Sequence, residues 1–406
     1  MINTEFYRGG AAKIAQTLFW SLNKRNEFGC YFAYGRGEKS NENRTFKFAY
    51  LAEIYFQAFL TRFTGLQGYG SWFSKKRLEK YIAKEKFDLI HLHNLHGYYL
   101  NLEFVDYLKQ LGVPVVWTLH DGWSMTGRCA YLFNCGKWKA GCGNCPDLSL
   151  YPKSFIDSTS FMWEKKKEYF SSGWEPTIVC PSKWLADRVR ESYLNKHHIK
   201  IIPNAVDKEI FKPKDKGAIR KKYNIPLDKK VILFVAADLK DERKGIKYFF
   251  ESLKYVKSHN YLVLTVGKNI DLPEEIKTEI DVRQLGYIYD KNALSEIYNA
   301  ADIFCITSID EVFGLTVTES MACGVPVVGF CVGGIYEQVT EDCGILVKAK
   351  DSKSLGESVN KLLNDEEVRR KFNINCRKRV LQNYSISKFT DNYIRLYNEV
   401  LKEKKQ

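Results

Sequence analysis

The chain has 406 residues, enough for two hydrophobic cores of roughly 200 residues each, and its 45% hydrophobic and 27% charged residues suit a globular enzyme and exclude a disordered chain. Its formal charge of +14 is uneven: residues 1–200 hold 28 Lys and Arg against 18 Asp and Glu, a balance of +10, which fits an anionic partner such as a phosphorylated substrate, a membrane surface or nucleic acid. No uncharged run reaches membrane-spanning length and MINTEFYRGGAAK lacks the segments of a secretory signal, so a cytoplasmic chain is expected.

Taken in chain order, the first feature is YRGGAAKIAQTL (7–18), where Gly9 and Gly10 precede a helix and allow close backbone approach to a phosphate or acceptor. Only MINTEF stands before this loop, which predicts a very short strand unless the true start lies upstream. FAYLAEIYFQAFLTRF (48–63) reads as an aromatic helix carrying Glu53 and Gln57 one turn apart, with KKR (75–77) close behind; it suits a helix half buried in its own domain or one resting on a membrane. DLIHLH (88–93), PVVWTLH (114–120), TIVCPS (177–182) and IKIIPN (199–204) are continuous apolar runs ending in polar turns, the pattern of buried parallel strands. Histidines gather in HLHNLHGYY (91–99) and at His120, with Asp121 beside it; His91 and His93 are expected on opposite sides of their strand, which argues against a shared ion. Between these strands, CAYLFNCGKWKAGCGNC places Cys129, Cys135, Cys142 and Cys145 within a glycine-bearing loop, so a structural zinc is expected there, with free thiols, an iron–sulfur cluster or disulfides as alternatives.

A charged, proline-bearing stretch (208–230) reads as the connection to a second block. There VILFVAA (231–237), YLVLTVG (261–267), DIFCITS (302–308) and VPVVGF (325–330) again alternate with helical patterns, so two Rossmann-like domains facing an interdomain cleft are expected. After the first of these strands comes DERKG (241–245), whose Lys244, beside Arg243, suits the negative charge that develops on a departing diphosphate. DIFCITS runs into EVFGLTVTESMACGVPVV (311–328): Gly314 allows close approach to a ligand, the N–H groups of Leu315, Thr316 and Val317 would meet a phosphate, and Gly324 ends the helix. A carboxylate repels phosphate, so Glu311 and Glu319 must serve another part of the same ligand, and carboxylates accept hydrogen bonds from vicinal hydroxyls. A phosphate flanked by two hydroxyl-bearing rings describes a nucleotide sugar.

Glu311, the seven residues after it, Glu319 and the GVPVV that follows resemble the donor site of the retaining GT-B glycosyltransferases of family 4, a likeness that extends over nearly the whole chain. The resemblance implies that Glu311 binds sugar hydroxyls, Glu319 the ribose, Lys244 the diphosphate, and the strand-end His120 the transferring sugar; Leu285, Gly286, Tyr287 and Ile288 match the segment bordering the base, unless they are only a buried strand end. Where many relatives have a Gly-Arg pair this chain has Ala236, Ala237 and Asp238, which shifts the expected diphosphate contact toward Arg243. IHLHNLHGYYLN, TLHDGWSMTGRC, CGNCP and PSKWLADRV are similar to the colanic-acid and exopolysaccharide branch, which implies assembly on a polyprenyl-diphosphate carrier at the inner face of the membrane and gives the basic N-terminal half an anionic acceptor.

The expected layout is an acceptor-binding domain over residues 1–207 with a Cys-rich insertion at 129–145, a nucleotide-sugar-binding domain over 208–385, and a helix at 386–406 crossing back to the first. His120, Lys244 and Glu311 are the expected catalytic residues, with a UDP- or GDP-sugar as donor and no catalytic cofactor. Front-face substitution through an oxocarbenium-like state, with a donor phosphate oxygen taking the acceptor proton, is what the resemblance implies for retention. Two rivals are a GT-B epimerase or hydrolase, which would turn over donor without acceptor, and a basic zinc-bearing nucleic-acid-binding protein, which leaves Glu311, Glu319 and Lys244 unexplained.

Overall fold

Short runs of buried branched residues set the strands, and a computed structural model describes them within residues 1–25, 27–258 and 260–403. Positions 404–406, assigned above to the last helix and its tail, lie outside the described residues. The chain divides into two units, residues 1–203 with the chain end from 389, and residues 204–388.

In the first unit the strands are β1 (Ile2–Glu5), β2 (Phe32–Arg36), β3 (Thr45–Lys47), β4 (Ile90–Leu92), β5 (Val115–Thr118), β6 (Thr177–Cys180) and β7 (Ile199–Ile201). They form one parallel sheet in the order β3-β2-β1-β4-β5-β6-β7. All four residues of β5 and of β6 are buried, because helices cover both faces of a parallel sheet. β1 is only four residues long yet lies between β2 and β4. The last helix, Ile386–Glu403, buries Phe389, Tyr393, Tyr397 and Val400 at helical spacing, and from Phe389 onward it belongs to this unit. Its Tyr397 hydroxyl lies 2.6 Å from His91 Nδ1 and its Tyr393 hydroxyl 2.8 Å from Thr118 Oγ1.

The second unit holds β8 (Lys230–Asp238), β9 (Tyr261–Lys268), β10 (Val282–Gln284), β11 (Ile303–Ile306), β12 (Val327–Phe330) and β13 (Gly344–Val347), all parallel, in the order β10-β9-β8-β11-β12-β13. Along β8, Val231 and Leu233 pack with Ile297, Val317 and Met321 on one face, while Ile232 and Phe234 pack with Phe249, Leu355 and Val359 on the other. Strand periodicity of two therefore feeds both cores from one continuous apolar run. Helices begin on aspartates: Asp215, Asp290, Asp351 and Asp365 each accept a backbone N–H from the first turn, a cap of about 1 kcal/mol apiece.

The stretch 208–230, expected as a connection, is folded into this unit. It contains the helix Lys216–Lys222, and its Phe211, Ile219 and Ile225 are buried in the core. Scattered among lysines, three apolar residues suffice to seat it.

Candidate active site

In both sheets the strand order reverses beside the first strand, between β1 and β4 and between β8 and β11, and ligands of open parallel sheets gather at the C-terminal ends of the strands around such a reversal. In the second unit that position is built from two loops. The turn after β8, Asp241–Gly245, lies against the loop after β11: Ile309 donates its N–H to the Arg243 carbonyl (2.8 Å), and Thr307 Oγ1 donates to the carbonyls of Lys244 (3.0 Å) and Gly245 (2.8 Å). Gly245 has φ +66, and a Cβ there would stand 2.1 Å from the Thr307 oxygen, so only glycine lets the loops close.

This closure brings Lys244, Arg243 and Glu311 together. Lys244 Nζ donates to Glu311 Oε2 at 2.5 Å and Arg243 Nη1 to the same oxygen at 3.2 Å, with Ser308 Oγ at 3.4 Å. Burial pushes the Glu311 carboxyl up, but the Lys244 and Arg243 cations and their hydrogen bonds outweigh it, and the net shift is downward. Arg243 also donates to the Asp310 carbonyl (3.1 Å) and to Asp241 (3.2 Å), so its fork holds the loop, whereas among the described residues the one ion pair of Lys244 is with Glu311. Arg243 is thus tied to the loop at three points and Lys244 to Glu311.

Gly314 opens the helix Leu315–Ala322. Val317 turns its N–H back to the Gly314 carbonyl (3.1 Å), so the forward groups at this helix start are those of Leu315 and Thr316. Within the helix, Glu319 Oε2 accepts the Tyr298 hydroxyl at 3.0 Å. Tyr287 and Ile288 follow β10 at the sheet edge; Tyr287 is exposed and packs against Tyr289 with ring centroids 4.6 Å apart, and no described hydrogen bond or ion pair ties it to Glu311.

Several supporting residues escaped the sequence reading. Buried Gln338 clamps Gly314, accepting its N–H (2.9 Å) and donating to its carbonyl (3.0 Å). Gly334 donates its N–H to the Glu311 carbonyl (2.9 Å), and at Gly333, φ +52, a Cβ would stand 1.8 Å from that oxygen. The signal available was the Gly333-Gly334 pair shortly after β12.

In the first unit, Gly9 (φ +94) and Gly10 follow β1 and open the helix Gly10–Arg25, and His120 follows β5. His91, in β4, and His93, just past its end, lie on the same side and not on opposite sides as expected, with ring centroids 4.2 Å apart, because residues two apart on extended chain share a face. His93 Nδ1 and His120 Nε2 share a hydrogen bond of 3.0 Å. Burial pushes His120 down to about 4 and His91 and His93 well below the ordinary range, so all three are neutral at pH 7. Asp121 bonds His96 Nε2 (2.8 Å) and accepts the Trp123 N–H (2.9 Å); burial pushes its carboxyl up, and these partners bring it below its usual value.

Among the described residues no three His, Cys, Asp or Glu side chains are disposed to hold a metal ion, and Cys129, Cys135, Cys142 and Cys145 are free thiols. The segment is organised around a buried cation, Arg128. Arg128 donates to the carbonyls of Asp147 (2.5 Å), Leu148 (3.3 Å), Leu150 (2.5 Å) and Pro152, while Cys145 Sγ lies 3.7 Å from its Nη2 and Cys142 Sγ accepts the Gly127 N–H at 3.2 Å.

Comparison with known proteins extends this geometry. Residues 8–210 match the family model described as Glycosyltransferase Family 4, and residues 215–379 match that of Glycosyl transferases group 1. An Escherichia coli (strain K12) protein named for colanic acid biosynthesis, glycosyl transferase WcaC, is 30% identical over 255 residues, 59% of each chain. The N,N'-diacetylbacillosaminyl-diphospho-undecaprenol alpha-1,3-N-acetylgalactosaminyltransferase of Campylobacter jejuni is 30% identical over 182 residues, 44% of this chain and 47% of its own. These matches span about half to three-fifths of the relatives' length. The crystal structure of Anabaena Alr3699/HepE in complex with UDP-glucose shares the fold over 98% of both chains, with a TM-score of 0.66 at 14% identity. Two parallel-sheet, Rossmann-like units are the GT-B architecture, and with one family model matched over half its length the chain belongs to glycosyltransferase family 4.

Proposed function

We propose that the protein is a retaining glycosyltransferase that moves a sugar from a UDP- or GDP-sugar to a lipid-linked saccharide acceptor during surface polysaccharide or oligosaccharide assembly. The observation that carries this reading is the Lys244–Glu311 pair at 2.5 Å, ahead of the N–H groups that open the helix Leu315–Ala322. Phosphate approaching those groups gains from the helix start and from Lys244, while Glu311 accepts sugar hydroxyls and Glu319, held by Tyr298, accepts those of the ribose.

In the proposed reaction the bond from the anomeric carbon to the donor phosphate oxygen breaks, and the acceptor oxygen bonds to that carbon on the same face. The acceptor proton passes to the departing phosphate oxygen, leaving a nucleoside diphosphate. Lys244 and the helix start stabilise charge that grows only as the bond breaks, which is where stabilisation accelerates the step. Neutral His120, held by His93, offers a polar contact to the transferring sugar. UDP-glucose bound to Alr3699/HepE supports the donor class, and the undecaprenol-linked substrate in the Campylobacter relative's name supports a carrier-bound acceptor, which would set the enzyme at the inner face of a membrane.

The test is nucleotide release from UDP- and GDP-sugars, with and without a lipid-extract acceptor, beside Glu311→Ala. Release of one nucleotide that requires acceptor and disappears in the variant is expected. Release without acceptor would favour an epimerase or hydrolase, and absence of binding to any donor would overturn the site assignment.

A further inference from the structure

The helix Leu51–Thr64 is packed inside out. It turns Ile54, Gln57 and Thr61 inward and leaves Tyr55, Phe56, Phe59 and Phe63 exposed. The polar groups of the inward strip are satisfied: Gln57 donates to Thr61 Oγ1 (3.2 Å) and to the Leu66 carbonyl (3.2 Å) and accepts the Gly70 N–H, and Thr61 donates to the Leu66 carbonyl at 3.0 Å. Glu53, the helix's one acidic residue, is half-buried, its carboxylate accepting the N–H groups of Phe73 (2.8 Å) and Ser74 (2.7 Å) at the start of the helix Trp72–Glu85. An ordinary surface helix buries its apolar stripe and exposes its polar one; here the aromatic stripe faces outward.

The exposed stripe continues beyond the helix. Phe63 meets Phe155 (centroids 5.4 Å apart), Phe56 meets Trp72 (5.8 Å), and Phe73 is 68% exposed beside it. Cations are interleaved with the rings: the Arg62 guanidinium lies 4.3 Å from the Phe155 centroid, Arg77 lies 5.2 Å from that of Tyr50, and Lys76 and Lys80 are exposed on the adjoining helix. A contiguous aromatic face of this kind marks an interaction site. Aromatic rings interleaved with Lys and Arg, with the one acid of Leu51–Thr64 engaged by backbone N–H groups, complement an anionic bilayer interface. No described helix is long and apolar enough to cross a membrane, so the contact is one of lying on the surface.

We infer that the face formed by the helix Leu51–Thr64, the start of Trp72–Glu85 and the loop at Phe155 docks on an anionic lipid bilayer, its aromatic side chains entering the headgroup layer. The inference deepens the proposed acceptor class, since a carrier lipid is met at the surface on which the enzyme rests.

Flotation with vesicles tests it, using phosphatidylcholine alone and phosphatidylcholine mixed with phosphatidylglycerol, without donor or acceptor. The protein is expected to float with the mixed vesicles. Tyr55→Ser/Phe59→Ser/Phe73→Ser is expected to lower the partition coefficient about 100-fold, as three partly inserted rings are removed. Lys76→Glu/Lys80→Glu is expected to lower it at least about 10-fold on the mixed vesicles only. Fluorescence quenching by nitroxide-labelled lipid, lost in Trp72→Phe, is a second readout that leaves the other aromatic side chains in place. Failure of the wild type to float, equal flotation of the triple variant, or a solution dimer that the triple variant converts to monomer without vesicle binding would each overturn the proposal, the last assigning the face to a second copy. Because the vesicles carry no substrate, failure here leaves the transferase reading standing, and failure of transfer leaves the docking face standing.

Discussion

Replacing Gln338 by Leu keeps the volume of a side chain that is 1% exposed and removes only its carboxamide. The Gly314 carbonyl keeps acceptor duty toward the N–H groups of Val317 (3.1 Å) and Thr318 (3.2 Å), so Gln338→Leu orphans one buried group, the Gly314 N–H. An unsatisfied buried donor costs about 1–3 kcal/mol, and about 2 kcal/mol corresponds to a roughly 30-fold change in a local opening equilibrium. Hydrogen exchange read by mass spectrometry should therefore show peptides over 311–322 exchanging about 30-fold faster, with nucleotide-sugar affinity falling in parallel. All eight tryptophans, from Trp20 to Trp184, lie in the first unit, so tryptophan fluorescence is blind to this loop and its unfolding curve serves as the internal control. Unchanged protection over 311–322, or faster exchange spread equally over β5 and β6, would refute the idea that Gln338 holds the helix start.

Three other perturbations follow from the same geometry. Because burial lowers His91, His93 and His120 from their ordinary 6.5, the unfolded chain binds more protons below that value; the stability these residues supply is whole above about pH 6.5 and is lost progressively as the pH falls below it. His120 alone should cost the first unit about 2 kcal/mol at about pH 5, read as a lower urea midpoint by tryptophan fluorescence, and a midpoint equal to that at pH 7 would count against the cluster. Gly333→Ala should destabilise the second unit by about 3 kcal/mol in urea unfolding followed by circular dichroism, against about 1 kcal/mol for Gly286→Ala, where φ is also positive (+69) but nothing lies within 4 Å; equal costs would show that backbone conformation, not the Glu311 carbonyl, sets the penalty. Arg128→Met and Arg128→Lys should both raise the reactivity of Cys145 toward a thiol reagent at least about 10-fold, since one ammonium cannot span four carbonyls; rescue by Lys would show that charge alone suffices.

The sequence made most of the sheet framework legible because buried parallel strands are written as unbroken apolar runs: VILFVAA became β8, YLVLTVG β9 and DIFCITS β11. β2, β3, β10 and β13 were not among the runs identified; β3 and β10 are three residues each and only partly buried, which gives periodicity little to show. Glu311 and Lys244, 67 positions apart, could be paired through the resemblance and the strand-end rule, and the structure joins them. Gln338 was not legible, because a buried glutamine is distinguished from a solvated one only by the backbone it meets. In the cysteine segment, spacing permits convergence on an ion but gives no sign of Arg128, adjacent to Cys129 in the chain and central to the segment in space, which takes the carbonyls that shape the loop.

The first unit is not continuous in sequence, and this orders its biosynthesis. Tyr393 and Tyr397 supply hydroxyls to Thr118 and His91, groups made some 275 and 306 positions earlier. While the ribosome is still adding the second unit, those partners have no tyrosines to meet, and the helix that covers them emerges after that unit. The unit that begins the chain is therefore the later of the two to complete its hydrogen bonding, and residues 1–203 expressed alone would hold a half-finished core needing residues 389–403 supplied in trans.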